Sequence, residues 1–175
     1  MQGNLQLTLA IIKPHVTKAP HALQKIRETI LSSGFYVVQR KSTIMTEEVA
    51  AEFYAEHRNK FFYNRLVTLM RSGPSEVHIL ARQNAIKVWR SLMGPTKVYH
   101  AQFTAPESIR GRFGLTDTRN ATHGSDSPES ATREIEIFFP DFSIDRWFLK
   151  EAEYFNTGAV KLRAQEFVHR IISAS

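Results

Sequence analysis

The sequence predicts an α+β fold in which a small antiparallel sheet is covered by helices on one face. Three observations lead there. The 175 residues are the length of one domain, enough to bury roughly two-thirds of the apolar surface without staples. A hydrophobic share of 42% with a charged share of 23% is that of a globular chain and argues against disorder. The apolar pattern runs strand, helix, strand, helices, strand, helix, long loop, helix, and such a mixed order suits a sheet with helices packed on it.

The elements follow in order. Leu5, Leu7, Leu9 and Ile11 alternate with polar or small residues, the period of a strand, and Pro14, which has no N–H for a ladder, ends it. Ala22, Leu23, Ile26 and Ile30 recur at helical spacing, with Gly34 placed to close that helix. A β-rich run extends from Phe35 to about Ile44. Thr46, followed by Glu47 and Glu48, starts a helix carrying Val49, Phe53 and Tyr54, because acids in the first turn face the positive end of the dipole. A further helix spans 61–71 and stops at Gly73-Pro74. A strand covers 75–81, and a helix covers 83–92 before Gly94-Pro95. Residues 94–126 show little periodicity, with a strand expected near 115–119. A stretch of this length without structure in a compact domain is usually functional. Ser127-Pro128-Glu129 supplies a cap, a proline at the first helical position and an acid for a helix to about Phe138. Composition shifts at Pro140-Asp141, which divides the chain into a domain at 1–140 and a C-terminal extension at 141–175. In the extension, Val160, Ala164, Phe167, Val168, Ile171 and Ile172 predict an amphipathic helix docked on the domain.

The chain has no cysteine, which excludes disulfides, thiolate metal sites and a cysteine nucleophile. No apolar run approaches the ~20 residues of a membrane span, and Met1-Gln2-Gly3-Asn4 does not read as a secretory signal. The formal charge is +6. Residues 141–175 are neutral overall, so the excess lies in 1–140. A basic chain suits nucleic acid, an anionic membrane or a phosphorylated small molecule. No basic run of five or more and no reader motif supports nucleic acid, and the charge by itself does not choose between the other two.

The densest polar cluster is Arg119 to Ser127, in the order Arg-Asn-Ala-Thr-His-Gly-Ser-Asp-Ser. Gly124 after His123 frees the backbone for close approach of a ligand. Ser125 and Asp126 can orient the imidazole through one nitrogen and leave the other to attack, and Glu134 on the next helix can reach the same ring. The competing reading is a polar turn capping a helix. Lys13, Arg90, Arg110 and Arg112 suit phosphate oxygens, since they supply charge and directed donors together, though any one of them alone reads more readily as solvated surface. Phe61-Phe62-Tyr63 reads as core. His15 and His21 lack the spacing of a helical metal pair.

With Asn120-x-x-His123-Gly124-Ser125-Asp126-Ser127, the chain resembles the nucleoside diphosphate kinases. Ala10-Ile11-Ile12-Lys13-Pro14, Glu52-Phe53-Tyr54, Arg71-Ser72-Gly73-Pro74, Leu92-Met93-Gly94-Pro95-Thr96 and Ser108-Ile109-Arg110-Gly111 support it, and the divergent details resemble the type 6 branch. The resemblance implies a ferredoxin-like fold with a four-stranded antiparallel sheet. It implies ping-pong transfer of a terminal phosphoryl group between nucleoside triphosphates and diphosphates, with His123 as the phosphorylated nucleophile. Glu134 and Ser125 would support it, and Lys13, Tyr54, Arg90, Thr96 and Arg110 would contact the phosphates or lie close to them. Lys13 and Asn120 would hold the sugar, and Phe61 would stack on the base beside Leu66. Magnesium would arrive on the nucleotide's own phosphates, with no protein metal site.

Departures from the family pattern are His15-Val16 where Asp-Gly is usual, a longer 97–109 loop, and the extension. They leave a hexamer open. They also sustain an alternative, a low-activity nucleotide-binding or scaffolding protein acting through a protein partner. The branch resembled points to an intracellular protein, mitochondrial before cytoplasmic.

Overall fold

The computed structural model describes residues 3–173, so Met1, Gln2 and the last two residues of the extension lie outside it. Six strands and ten helices follow one another as β1 (Gln6–Ile12), α1 (Pro14–Thr17), α2 (Pro20–Ser32), β2 (Tyr36–Thr43), α3 (Glu47–Phe53), α4 (Tyr63–Arg71), β3 (Ser75–Arg82), α5 (Ala85–Met93), α6 (Val98–Thr104), α7 (Ile109–Phe113), β4 (Thr122–Gly124), α8 (Pro128–Phe138), α9 (Ile144–Lys150), α10 (Ala152–Asn156), β5 (Val160–Arg163) and β6 (Val168–Ile171). A 3-10 turn at Ala55–His57 links α3 to α4.

Strands β2-β3-β1-β4 form one sheet, antiparallel at every pairing, while β5 and β6 form a separate hairpin. This is the ferredoxin-like sheet, and helices cover both of its faces instead of one. The reason is visible in β1, where every residue from Leu7 to Ile12 is buried. Leu7, Leu9 and Ile11 pack with Ile135 and Phe138 of α8, and Ala10 and Ile12 pack with Ile26, Ile30 and Trp89 of α2 and α5. Alternation of large with small residues is therefore two-sided burial.

The local signals explain the boundaries. Thr46 Oγ1 accepts from the Val49 N–H at 3.2 Å and Ser127 Oγ from the Ser130 N–H at 3.1 Å, satisfying donors that the helix leaves free. Gly34 has φ of +81°, the left-handed conformation that ends α2.

Three expectations are corrected. The segment 94–126 contains α6 and α7. On α6, Tyr99 and Phe103 are exposed while Val98 and Ala101 are buried, so the hydrophobic pattern is inverted and hides the helix. The strand in this region is β4 at 122–124; residues 115–119 form a turn in which Leu115 N–H donates to the Arg119 carbonyl at 2.8 Å. A three-residue strand has too little period to read. The helix expected over 160–172 is the β5–β6 hairpin, in which Val160 and Leu162 face inward and Lys161 and Arg163 outward. The turn residue Phe167 has φ of +52°.

The hairpin seats on a buried ionic cluster beside β2. Glu76 accepts from Arg27 Nε at 3.0 Å, from Arg40 Nη2 at 2.8 Å and from His78 Nε2 at 2.9 Å, and Phe167 lies over the Arg27 guanidinium. Val37 N–H donates to His169 Nδ1 at 2.9 Å, a bond that requires an unprotonated nitrogen. Burial holds His169 below its ordinary 6.5, and burial and nearby cations take His15 to about 4. Burial alone would raise Glu76, but bonds from His78, Arg27 and Arg40 hold it well below the carboxylate range. All three bind protons more readily when unfolded, so each contributes stability that is lost on acidification. Melting temperature is expected to fall through the histidine range as pH drops from about 6.5, and to fall further below about 4.5 as Glu76 becomes the group lost. A melting temperature unchanged between pH 7 and 5 would contradict the histidine part.

Candidate active site

Register delivers the central histidine. In the β1–β4 pairing His123 stands opposite Ile11, so its side chain leaves the sheet on the α3–α8 face. There its ring meets Phe53 edge-on at 4.8 Å, and Nε2 meets Glu134 Oε1 at 2.9 Å. Glu134 is held in turn by Ser125 Oγ, which donates to the same oxygen at 2.8 Å and accepts from the Leu9 N–H at 3.1 Å. Ser125 therefore acts on the carboxylate and does not touch the ring. Asp126 does not orient the ring either; hydrogen bonds from Ser130 and Ser127 hold its carboxyl below the usual range.

The approach to His123 is bent. Thr122 N–H donates to the Asn120 carbonyl at 3.0 Å, closing a three-residue turn around Ala121, whose φ is +78°. A positive φ on a residue with a Cβ costs energy and marks a constrained site. The Lys13 N–H fixes this turn by donating to the Ala121 carbonyl at 2.9 Å. Gly124 lines the cavity described below and also has a packing role. A Cβ there would lie 2.5 Å from Trp89 Cδ1 and 2.9 Å from Met93 Cε. The missing Cβ leaves room for the core tryptophan, whose Nε1 donates to the His123 carbonyl at 3.1 Å.

His123 opens into a cavity of about 680 Å³, the size of a small-molecule site. Lys13, Tyr54, Arg90, Arg110 and Asn120 line it, as do Thr96, Phe61 and Leu66; Ser125 lies behind Glu134. The core reading of 61–63 fails at Phe61, which is 86% exposed at the mouth, whereas Tyr63 packs against the core cluster. His57, Arg133 and Asp117 also line the cavity. Nothing in the sequence singles out these three, because only the folding of the 3-10 turn, α8 and the 115–119 turn toward one point brings them there.

Electrostatically the cavity is prepared for anions. Lys13 is buried, with Nζ donating to the Thr118 carbonyl at 3.3 Å; burial and the Arg110 charge lower it to about 7. Burial and Arg90 lower Arg110 to about 10, and Arg110 Nη1 donates to the Gly94 carbonyl at 2.8 Å. Burial and the Glu134 charge push Tyr54 upward, so its phenol keeps its proton. Bound phosphate would favour the charged forms of Lys13 and Arg110. Among the described residues, five buried polar atoms without a protein partner belong to cavity residues: Tyr54 Oη, His57 Nδ1, Arg110 Nε, Asn120 Oδ1 and Thr122 Oγ1. Each costs roughly 1–3 kcal/mol if left unpaired, so their concentration here favours a polar ligand. Among the described residues, no three His, Asp or Glu side chains converge as a metal cage, and no helix is long and apolar enough to cross a membrane.

Comparison with known proteins agrees with the fold. Residues 6–144 fit the family model described as nucleoside diphosphate kinase. The chain is 50% identical over 167 residues to nucleoside diphosphate kinase 6 of Homo sapiens, covering 95% of this chain and 90% of that one. It is 47% identical to nucleoside diphosphate kinase 6 of Danio rerio, covering 95% of each. Among solved structures, the Aquifex aeolicus nucleoside diphosphate kinase superposes with a TM-score of 0.74 at 41% identity, over 77% of this chain and 95% of that one. The Halobacterium salinarum nucleoside diphosphate kinase, solved in complex with CDP, gives 0.72 at 30% identity, over 83% and 99%.

Proposed function

From the premise that the chain belongs to the nucleoside diphosphate kinase family, and to its type 6 branch, we propose that it transfers the terminal phosphoryl group of a nucleoside triphosphate to a nucleoside diphosphate through phosphorylated His123. The observation that carries this reading is the His123–Glu134 contact at 2.9 Å. A carboxylate on Nε2 keeps the proton on that nitrogen, so the Nδ1 lone pair is free to attack.

In the first half-reaction Nδ1 attacks the terminal phosphorus. An N–P bond forms, the P–O bond to the diphosphate breaks, and the nucleoside diphosphate leaves with that electron pair. In the second, a terminal oxygen of another nucleoside diphosphate attacks the phosphohistidine and the N–P bond breaks. Glu134 stabilises the positive charge that develops on the ring, and Ser125 keeps Glu134 in place. Such transfer depends on placement and charge stabilisation, here supplied by Lys13, Arg90 and Arg110, with Tyr54 and Thr96 as neutral donors. Asn120 and Lys13 hold the sugar, and Phe61 with Leu66 takes the base. Magnesium belongs to the substrate in this scheme, riding on its phosphates and adding charge neutralisation.

The purified chain, given labelled ATP and unlabelled diphosphates, is expected to exchange label over many turnovers. Replacement Glu134→Gln should lower kcat by about 100-fold, the usual contribution of an acid–base partner, with little change in nucleotide affinity. Nucleotide binding without exchange would instead favour the scaffolding alternative.

A further inference from the structure

The cavity is graded in depth. Lys13, Arg110 and Asn120 are 4%, 8% and 6% exposed, and His123 and Glu134 lie with them, whereas Phe61 and Asp117 are exposed at the mouth. A nucleotide with its terminal phosphate at His123 and its sugar at Asn120 has only its base left to reach the mouth. The carboxylate there is not a free surface charge. Asp117 Oδ1 accepts from the Val98 N–H at the start of α6, at 3.2 Å, and the residue sits in the turn that Leu115 N–H and Arg119 carbonyl close. One oxygen is thus anchored. The other has no bond in the protein among the described residues, and a carboxylate can only accept.

We propose that Asp117 reads the base: its second carboxylate oxygen accepts a hydrogen bond from an exocyclic amine, so the site favours bases that carry one over uracil and thymine. This rests on the nucleotide reading of the cavity. It also changes that reading, since stacking alone tolerates any base, whereas a fixed acceptor faces the carbonyl of uracil with repulsion. The alternative is that Asp117 does no more than anchor α6.

The isosteric change Asp117→Asn separates the two. An asparagine keeps a carbonyl oxygen for the Val98 N–H and places an amine donor where the free oxygen stood. Binding of the magnesium complexes of CDP and UDP to the full chain would be measured by titration calorimetry. Wild type is expected to bind CDP about fivefold to tenfold more tightly, the scale of one charge-assisted hydrogen bond at a solvent-exposed rim. In Asp117→Asn the preference should vanish or invert, because the amide donates to O4 of uracil. Equal affinities in wild type, or a ratio unchanged in the variant, would overturn the inference and leave the nucleotide site standing. Absence of binding by either nucleotide would overturn both.

Discussion

Replacement of His123 by glutamine is expected to abolish transfer, lowering kcat by at least about 10³-fold. Wild-type protein incubated with terminally labelled ATP should carry label that is lost in acid and kept in alkali, the behaviour of a phosphoramidate. The variant should carry none. Glutamine is close in size and keeps the cavity polar, so nucleotide affinity should change little, and this separates lost chemistry from lost binding. The His123 ring also packs edge-on against Phe53, so a modest loss of stability, about 1 kcal/mol, is expected alongside. Label that persists on the variant would remove His123 from the role. Label that survives acid in both proteins would point to an ester on a hydroxyl residue.

The second large effect concerns the part of the chain beyond residue 141. Trp147 of α9 is 1% exposed and sits in the same core cluster as Leu7, Leu9, Ile135 and Phe138, with the Phe155 ring of α10 at 5.3 Å. Truncation by Trp147→Ala removes a large buried ring that the surroundings cannot refill, at a cost of about 3–5 kcal/mol. For a chain of this size that lowers Tm by roughly 10 °C. Leu149, two residues on and 81% exposed, is the control, and Leu149→Ala should stay within about 0.5 kcal/mol. A shift below roughly 2 °C for Trp147→Ala would show that α9 and α10 are an appendage whose packing contributes little. The full shift, seen as one cooperative transition, would show that they complete the core on the face where His123 emerges.

The depth of the Trp147 burial also shows why the extension was only partly legible. Its neutral charge and amphipathic spacing announce something that packs, but Val160, Ala164, Phe167, Val168 and Ile171 satisfy a helical period by coincidence. The β-branched residues and the turn at 164–167 decide for a hairpin, because Phe167 can then reach Arg27 and His78 beside Glu76. That cluster joins α2, β2, β3 and the hairpin, and no window of local sequence contains it. The same holds for α6, where exposed Tyr99 and Phe103 reverse the pattern on which helix reading depends.

What the amino-acid sequence determined by itself is what short-range chemistry carries. Period-two and helical spacing set β1, α2, β2 and α5; Thr46 and Ser127 set two helix starts; and the run from Asn120 to Ser127 brought a histidine, a serine and their helix cap together because they are neighbours in the chain. The tertiary structure alone decided the partners separated by folding. It placed Glu134 on His123 through the register of β4 against β1, put Ser125 behind the carboxylate, and filled the missing Cβ of Gly124 with Trp89. It also buried Lys13 beside Arg110 and left Asp117 at the mouth of the same cavity. The division has one physical cause. Propensity and capping act over a few residues, whereas desolvation and charge pairing depend on distances that exist only after strands from opposite ends of the chain have paired.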